Sequence, residues 1–293
     1  MYFIKTRFAI ASFIGFLLAL HPHLTTNEIM AKESNAWNKV MAAALKLPGV
    51  AVDRDKFLNK ELSKYFSQQQ VHDAIVKGTP GIIPDKILDR IASTCIRDHT
   101  RKVTIFSTAM GIPGGWAALG TVPTDIAQFY FHVLVLSQKL AYVYGYPTLL
   151  DEDGKMTKSS VNVLTIFVGV MTGVGVAIKA LQELGEILQK QLIKKLPEMA
   201  LTNGVLYPAV RQVAKLIGST LTKEQMTKGI TKALPLISGM ISGALTYKTF
   251  KPQAKRLGAS LHCTMLLPQH SSAHSTTLDV DYEELPPELP PQP

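Results

Sequence analysis

A chain of 293 residues, 46% of them hydrophobic, can bury one large core or two smaller ones, and its mean hydropathy of +0.14 is at the greasy end for a soluble protein. Charged residues make up only 18%, yet the formal net charge is +9, which excludes an acidic solvating chain and invites an anionic partner. Two cysteines, Cys95 and Cys263, stand far apart with no CxxC; this excludes a disulfide framework and suits small core hydrophobes in a reducing compartment.

Residues 1–29 form a hydrophobic leader. Lys5 and Arg7 precede Phe8–Leu20, thirteen residues whose only polar member is Ser12, the layout of a secretory n-region and h-region. His21-Pro22-His23-Leu24-Thr25-Thr26 offers no small-x-small cleavage site, and thirteen apolar residues are short for a membrane span. Met30 opens a more ordinary start. Three readings stay open: an over-extended gene start, a signal or signal-anchor, or a plain helix. We expect the mature protein to begin near Met30.

Glu33–Lys46 and Arg54–Phe66 carry amphipathic helix patterns, and Gln68–Lys77 adds a further turn or two. A helix from about Asp85 places Leu88, Ile91, Ala92, Cys95 and Ile96 on one face and is expected to end in the charged knot Arg97, Asp98, His99, Arg101, Lys102. Ile105–Thr124 has no charge, but Gly111, Pro113, Gly114, Gly115, Gly120 and Pro123 interrupt any regular helix there, so it reads as a close-packed reversal. Thr124 or Asp125 caps the next helix, which runs to Tyr144 and stops at Gly145 and Pro147.

Asp151–Lys155 is a solvated loop. Ser159–Ile178 follows, twenty uncharged residues with a Gly169-x-x-x-Gly173 seam for helix contact. Leu181, Leu184, Leu188, Leu192 and Leu196 continue as an amphipathic helix, and Tyr207–Leu216 is a basic one. Thr222-Lys223-Glu224-Gln225 reads as a capping box opening Gln225–Lys232. Ala233–Tyr247 is again uncharged, with Gly239 and Gly243 four apart, and the basic stretch Lys248–Arg256 closes the folded part. Ser159–Ile178 and Ala233–Tyr247 suit a buried hairpin or membrane spans; their polar residues and short length favour the core. Residues 268–293 hold five of the 22 acids and no Lys or Arg, which leaves 31 cations against 17 acids elsewhere. Rich in Pro, Ser and acid, this tail is expected to be disordered.

No segment alternates like a strand. The expected fold is all-α: a single multi-helix domain over 30–267 with a buried, glycine-rich apolar layer formed by Ile126–Tyr144, Ser159–Ile178 and Ala233–Tyr247.

Candidate chemistry is sparse. Asp125, Gln128 and His132 fall at i, i+3 and i+7, one stripe of an otherwise apolar helix. An Asp and a His there could bind a metal or a phosphate-bearing headgroup, or relay a proton, with Tyr144 or His99 as a converging third group; two ligands seven residues apart without a third are weak evidence for a metal. The structural alternative makes Asp125 a cap, Gln128 an inter-helix hydrogen bond and His132 a core histidine. The glycine-rich reversal lacks the Gly-Lys-Ser/Thr of a phosphate loop and the preceding strand of a dinucleotide site. Neither a GxSxG nor a Cys/His nucleophile pair is signalled. No catalytic residue, cofactor or metal is therefore expected. Nucleic acid is not an expected partner, because the basic residues lack aromatic interleaving. A basic body with high apolarity suits an anionic membrane surface, or a membrane protein such as a transporter.

The glycine reversal Gly111–Gly120, the Pro-x-Asp at Pro123–Asp125, the helix Ile126–Tyr144 and the Tyr144-Gly145-Tyr146 end together resemble the EcsC protein family, over roughly Met30 to Leu267. The family's namesake is encoded beside an ABC export system. The resemblance therefore implies an accessory role in transport or envelope maintenance at the cytoplasmic face of the membrane, or within the membrane or beyond it if the leader is genuine. It implies no catalytic residues.

Overall fold

The computed structural model describes residues 26–110, 124–191, 195–226 and 243–265, with side chains over 35–106, 126–189, 195–221 and 246–265. Residues 1–25 of the leader, the Gly111–Pro123 reversal, most of Ala233–Tyr247 and the acidic tail lie outside the described residues, whereas 26–29 belong to a helix that continues through Met30. Ten helices are described in one arrangement: α1 Thr26–Leu45, α2 Arg54–Leu62, α3 Gln68–Lys77, α4 Asp85–Met110, α5 Thr124–Val143, α6 Lys158–Met171, α7 Gly175–Gln191, α8 Glu198–Thr202, α9 Tyr207–Met226 and α10 Gly243–Met265. Among these residues there is no strand, only an isolated bridge between Leu150 and Met156. The protein is all-α.

Short polar side chains start the helices. Asp53 accepts from the Lys56 amide ahead of α2 at 3.0 Å, and both Ser67 with Gln70 and Thr157 with Ser160 form reciprocal capping boxes for α3 and α6. In α6 every residue from Ser159 to Met171 is buried except Val161, which is half-buried. The polar members of that helix are satisfied inside the protein: the Asn162 amide donates to the Leu201 carbonyl at 3.0 Å, and Thr165 accepts from the Trp37 indole at 3.2 Å. A relay of edge-on aromatic contacts, Trp37–Tyr130–Phe129–Phe250, then ties α1, α5 and α10 together at centroid distances of 5.2, 5.4 and 5.8 Å. Among the described residues no helix is long and apolar enough to cross a membrane.

Several boundaries differ from the expected ones. The charged knot does not end α4, which continues to Met110: His99, Thr100 and Val103 extend its buried stripe, while Arg97, Asp98, Arg101 and Lys102 occupy the wet side. Ser159–Ile178 is two helices rather than one. Gly173 adopts φ +78°, and the Val174 and Gly173 amides return to the Gly169 and Val170 carbonyls at 2.9 Å, a Schellman stop. The Gly169/Gly173 pair is thus not a seam along one helix: Gly169 packs against α7 and α9, while Gly173, at the stop, lies against the Arg256 side chain of α10. Thr222–Gln225 opens no new helix, since buried Val213, Ile217 and Leu221 carry α9 unbroken to Met226. Lys248–Arg256 lies within α10. Cys95 is buried as expected, but Cys263 is exposed on the outer side of α10.

A β-carbon added at Gly169 would sit 2.6 Å from both Ala177 Cβ and Val213 Cγ1, where α6, α7 and α9 meet. Gly169→Ala is expected to destabilise by about 1–3 kcal/mol through overpacking, read as a lowered urea midpoint; an unchanged midpoint would show that this junction is loose.

The helix directions matter for function. Asp89 and His99 of α4 meet Tyr144 and His132 of α5, so α4 and α5 are antiparallel. Gly258 and His262 of α10 face Ile96 and Asp89, so α10 is antiparallel to α4 as well. Trp37 meets Tyr130 while Val50, just beyond α1, bonds Gln138, so α1 runs in the sense of α5. Met171 meets Ser137 while Phe167 meets Tyr146, which sets α6 against α5. Leu201 of α8 meets Asn162 and Val213 of α9 meets Gly169, so both pack on α6. The N-termini of α1, α5 and α10 and the C-terminus of α4 consequently share one end of the molecule.

Candidate functional site

The stripe on α5 is only partly assembled. Gln128 is half-buried, and Asp125 lies in the first turn of α5, its side chain outside the described residues. His132 is buried at 9% exposure and meets another buried ring, His99 of α4 at 3% exposure, edge-on with centroids 5.6 Å apart. Tyr144 does not converge on them. Twelve residues along the same helix from His132, it is displaced by about 18 Å.

Lys139, one further heptad along α5, completes the group. Its ammonium stands 3.2 Å from His99 Nε2 and 5.8 Å over the Phe57 ring. An ammonium only donates, so Nε2 accepts and the neutral His99 carries its proton on Nδ1. That Nδ1, together with Nδ1 of His132, is buried without a hydrogen-bond partner among the described residues. Burial, followed by the charges of Lys139, His132 and Lys102, pushes His99 down to about 3; burial, then Lys102 and Lys139, pushes His132 down to about 4. Both rings are neutral at pH 7. Desolvation also lowers Lys139 and lifts the Cys95 thiol to about 12, so Cys95 is an inert thiol. Among the described residues no three His, Cys, Asp or Glu side chains are placed to share a metal ion.

Tyr144 belongs to a second cluster. Its hydroxyl donates to Asp89 Oδ1 at 2.9 Å, its ring stacks on His262 at 5.6 Å, and His262 Nδ1 is 3.8 Å from the same carboxylate oxygen. This ties α4, the end of α5 and α10 together. Sequence reasoning missed Lys139, Lys102, Asp89 and His262. The first two were within reach of spacing, because Lys139 is i+7 from His132 and Lys102 is i+3 from His99, one helical face in each case.

Over the half of α4 and α10 nearest the shared end of the helices the surface is basic. Arg97, Arg101 and Lys102 on α4 and Lys248 and Lys255 on α10 are exposed, with Lys251 half-buried, and Asp98 is the only acid on either helix beyond Ala92 of α4. Ile105 is 58% exposed there and Tyr247 45%, the latter accepting a hydrogen bond from the Lys251 ammonium at 2.9 Å. Comparison with known proteins gives no match to a family model, a curated protein or a solved structure.

Proposed function

We propose that this chain is a non-enzymatic helical protein of the membrane surface, docking its basic end on an anionic bilayer at the cytoplasmic face. As the EcsC resemblance suggests, it would serve there as an accessory to ABC-type transport or envelope maintenance. The observation that carries this reading is the cluster of Arg97, Arg101, Lys102, Lys248, Lys251 and Lys255 around exposed Ile105 and Tyr247. Cations gain about 1 kcal/mol each near an anionic surface, and a Tyr flanked by Lys suits the headgroup layer.

The test is co-sedimentation of the full chain with phosphatidylcholine vesicles containing phosphatidylglycerol. Binding is expected at low salt and release at about 1 M salt, where the Debye length falls to about 3 Å. Lys248→Gln, Lys251→Gln and Lys255→Gln together are expected to weaken partitioning about 100-fold, from about 1 kcal/mol per charge. Equal binding to neutral vesicles, or none to either, would overturn the proposal. The second reading is a small-ligand or enzyme site around Asp125, Gln128 and His132, and the specific observation in its favour is the edge-on approach of the His99 ring, itself in contact with Lys139, to His132.

A further inference from the structure

We propose that the acidic segment Asp279–Glu288 of this chain docks on the basic face of α4 and α10 and competes there with the anionic bilayer. The contact itself needs only charge and reach, whereas the competition rests on the membrane-surface reading.

The face lacks acids of its own. Arg101 and Lys102 on α4 and Lys248 and Lys251 on α10 form no ion pair among the described residues, and Arg97 has only Asp98, at 4.0 Å. Cations elsewhere are better matched: Lys56, Lys64, Lys77 and Lys155 meet Asp53, Glu61, Asp73 and Asp153. The chain holds the missing charge in one block. Asp279, Asp281, Glu283, Glu284 and Glu288 come with no Lys or Arg among them, and residues 266–278 before them carry no formal charge.

Reach is ample. Asp279 follows Met265, the end of α10, by 14 residues, which can span up to about 48 Å. Lys251 lies about 21 Å back along the same helix from Met265 and Lys248 about 26 Å. A tether of this length holds the acids at an effective concentration on the order of millimolar. Apolar contact favours this occupant further. Exposed Ile105 and Tyr247 lie among the cations, and the segment interleaves Val280, Tyr282 and Leu285 with its acids, ahead of Pro286-Pro287. Proline-rich chain is a ready partner for an exposed aromatic ring. Exposed ion pairs are individually weak and screened by salt, so the contact is reversible and gives way to a bilayer that offers many more charges.

The experiment is zero-length carbodiimide cross-linking of the full chain at low concentration, with the linked peptides located by mass. Amide links from carboxylates of 279–288 to Lys102, Lys248 or Lys251 are expected in the monomer, and about 1 M salt should abolish them. Arg97→Gln with Arg101→Gln removes two charges but no cross-linkable amine. It should lower the yield at Lys248 and Lys251 about fivefold, the worth of two exposed ion pairs. Absence of these links, links only between copies, or equal yields at exposed Lys56 and Lys60 of α2 would overturn the contact and leave the docking reading standing. Phosphatidylglycerol vesicles are expected to remove the links, and phosphatidylcholine vesicles to leave them. Links that persist in chain sedimenting with phosphatidylglycerol keep the contact and overturn the competition. Links in a chain that sediments with neither vesicle keep the contact and overturn the docking reading, and the competition with it.

Discussion

Lowering the pH from 6.5 to 5 is expected to remove about 3 kcal/mol of folding stability, shared between His99 and His132. In the unfolded chain both imidazoles take up protons near pH 6.5. In the folded protein they stay neutral down to about 3 and about 4, because burial and the neighbouring Lys139 and Lys102 charges oppose a second cation. The unfolded state therefore binds more protons throughout this window, so stability is complete above pH 6.5 and declines as pH falls towards the folded values. The slope approaches about 1.4 kcal/mol per pH unit for each ring. Ordinary carboxylates titrate mostly below this range, which makes the histidines separable from general acid unfolding. Urea midpoints at pH 7 and pH 5 measure the effect. A His99→Gln, His132→Gln double variant should show a much shallower dependence even if its stability at pH 7 is lower. Parallel behaviour of wild type and variant would mean that the two rings are hydrated in solution and are not the neutral core pair described here.

What the sequence made legible was governed by local chemistry. The C-terminal end of α5 was readable because Gly145-Tyr146-Pro147 follows it, and that end is decided by backbone groups within a few residues. The end of α4 was not readable in that way. Its charge cluster resembles a stop, but whether Arg97, Arg101 and Lys102 end a helix or merely coat its wet face depends on what covers His99 and Val103, and that is decided by α5 and α10. Ser159–Ile178, expected to favour the core, is buried through Met171, yet its break at Gly173 was hidden by uniform apolarity, which carries no punctuation. The candidate site shows the same division. His132 stood out as a polar residue on an apolar helix, while its partner His99 lies 33 positions earlier, on a helix whose orientation no single-helix pattern supplies. Tyr144 shared the helix of His132 but not its surroundings.

Gly145→Ala is expected to be among the most damaging single-methyl changes in the protein, costing about 2–5 kcal/mol. Two penalties act on the same atom. Gly145 has φ +93°, a conformation that an L-residue adopts only with strain, and it is the C′ residue of a Schellman stop in which the Tyr146 amide returns to the Ala141 carbonyl at 2.9 Å and the Gly145 amide to Tyr142 at 3.2 Å. An added β-carbon would also lie 2.5 Å from Pro80 Cδ and 2.6 Å from Cγ. Pro80 is poorly able to retreat: its ring is rigid, and the preceding Thr79 is fixed by its hydroxyl's hydrogen bond to the Val143 carbonyl at 2.7 Å. Gly49→Ala separates the two terms. Gly49 has a comparable φ of +82° with nothing within 4 Å of the added carbon, so it should report the backbone strain alone, about 1–2 kcal/mol. Denaturant midpoints of the two variants give the difference, which is the contact with Pro80. Equal losses would show that the 78–84 loop yields freely and that the α5 stop is held by its own hydrogen bonds. A larger loss at Gly145 would show that the loop is seated against α5, close to the point where Tyr144 reaches Asp89. In that case the same substitution should also loosen the stacking of Tyr144 on His262, seen as a change in the His262 ring resonances.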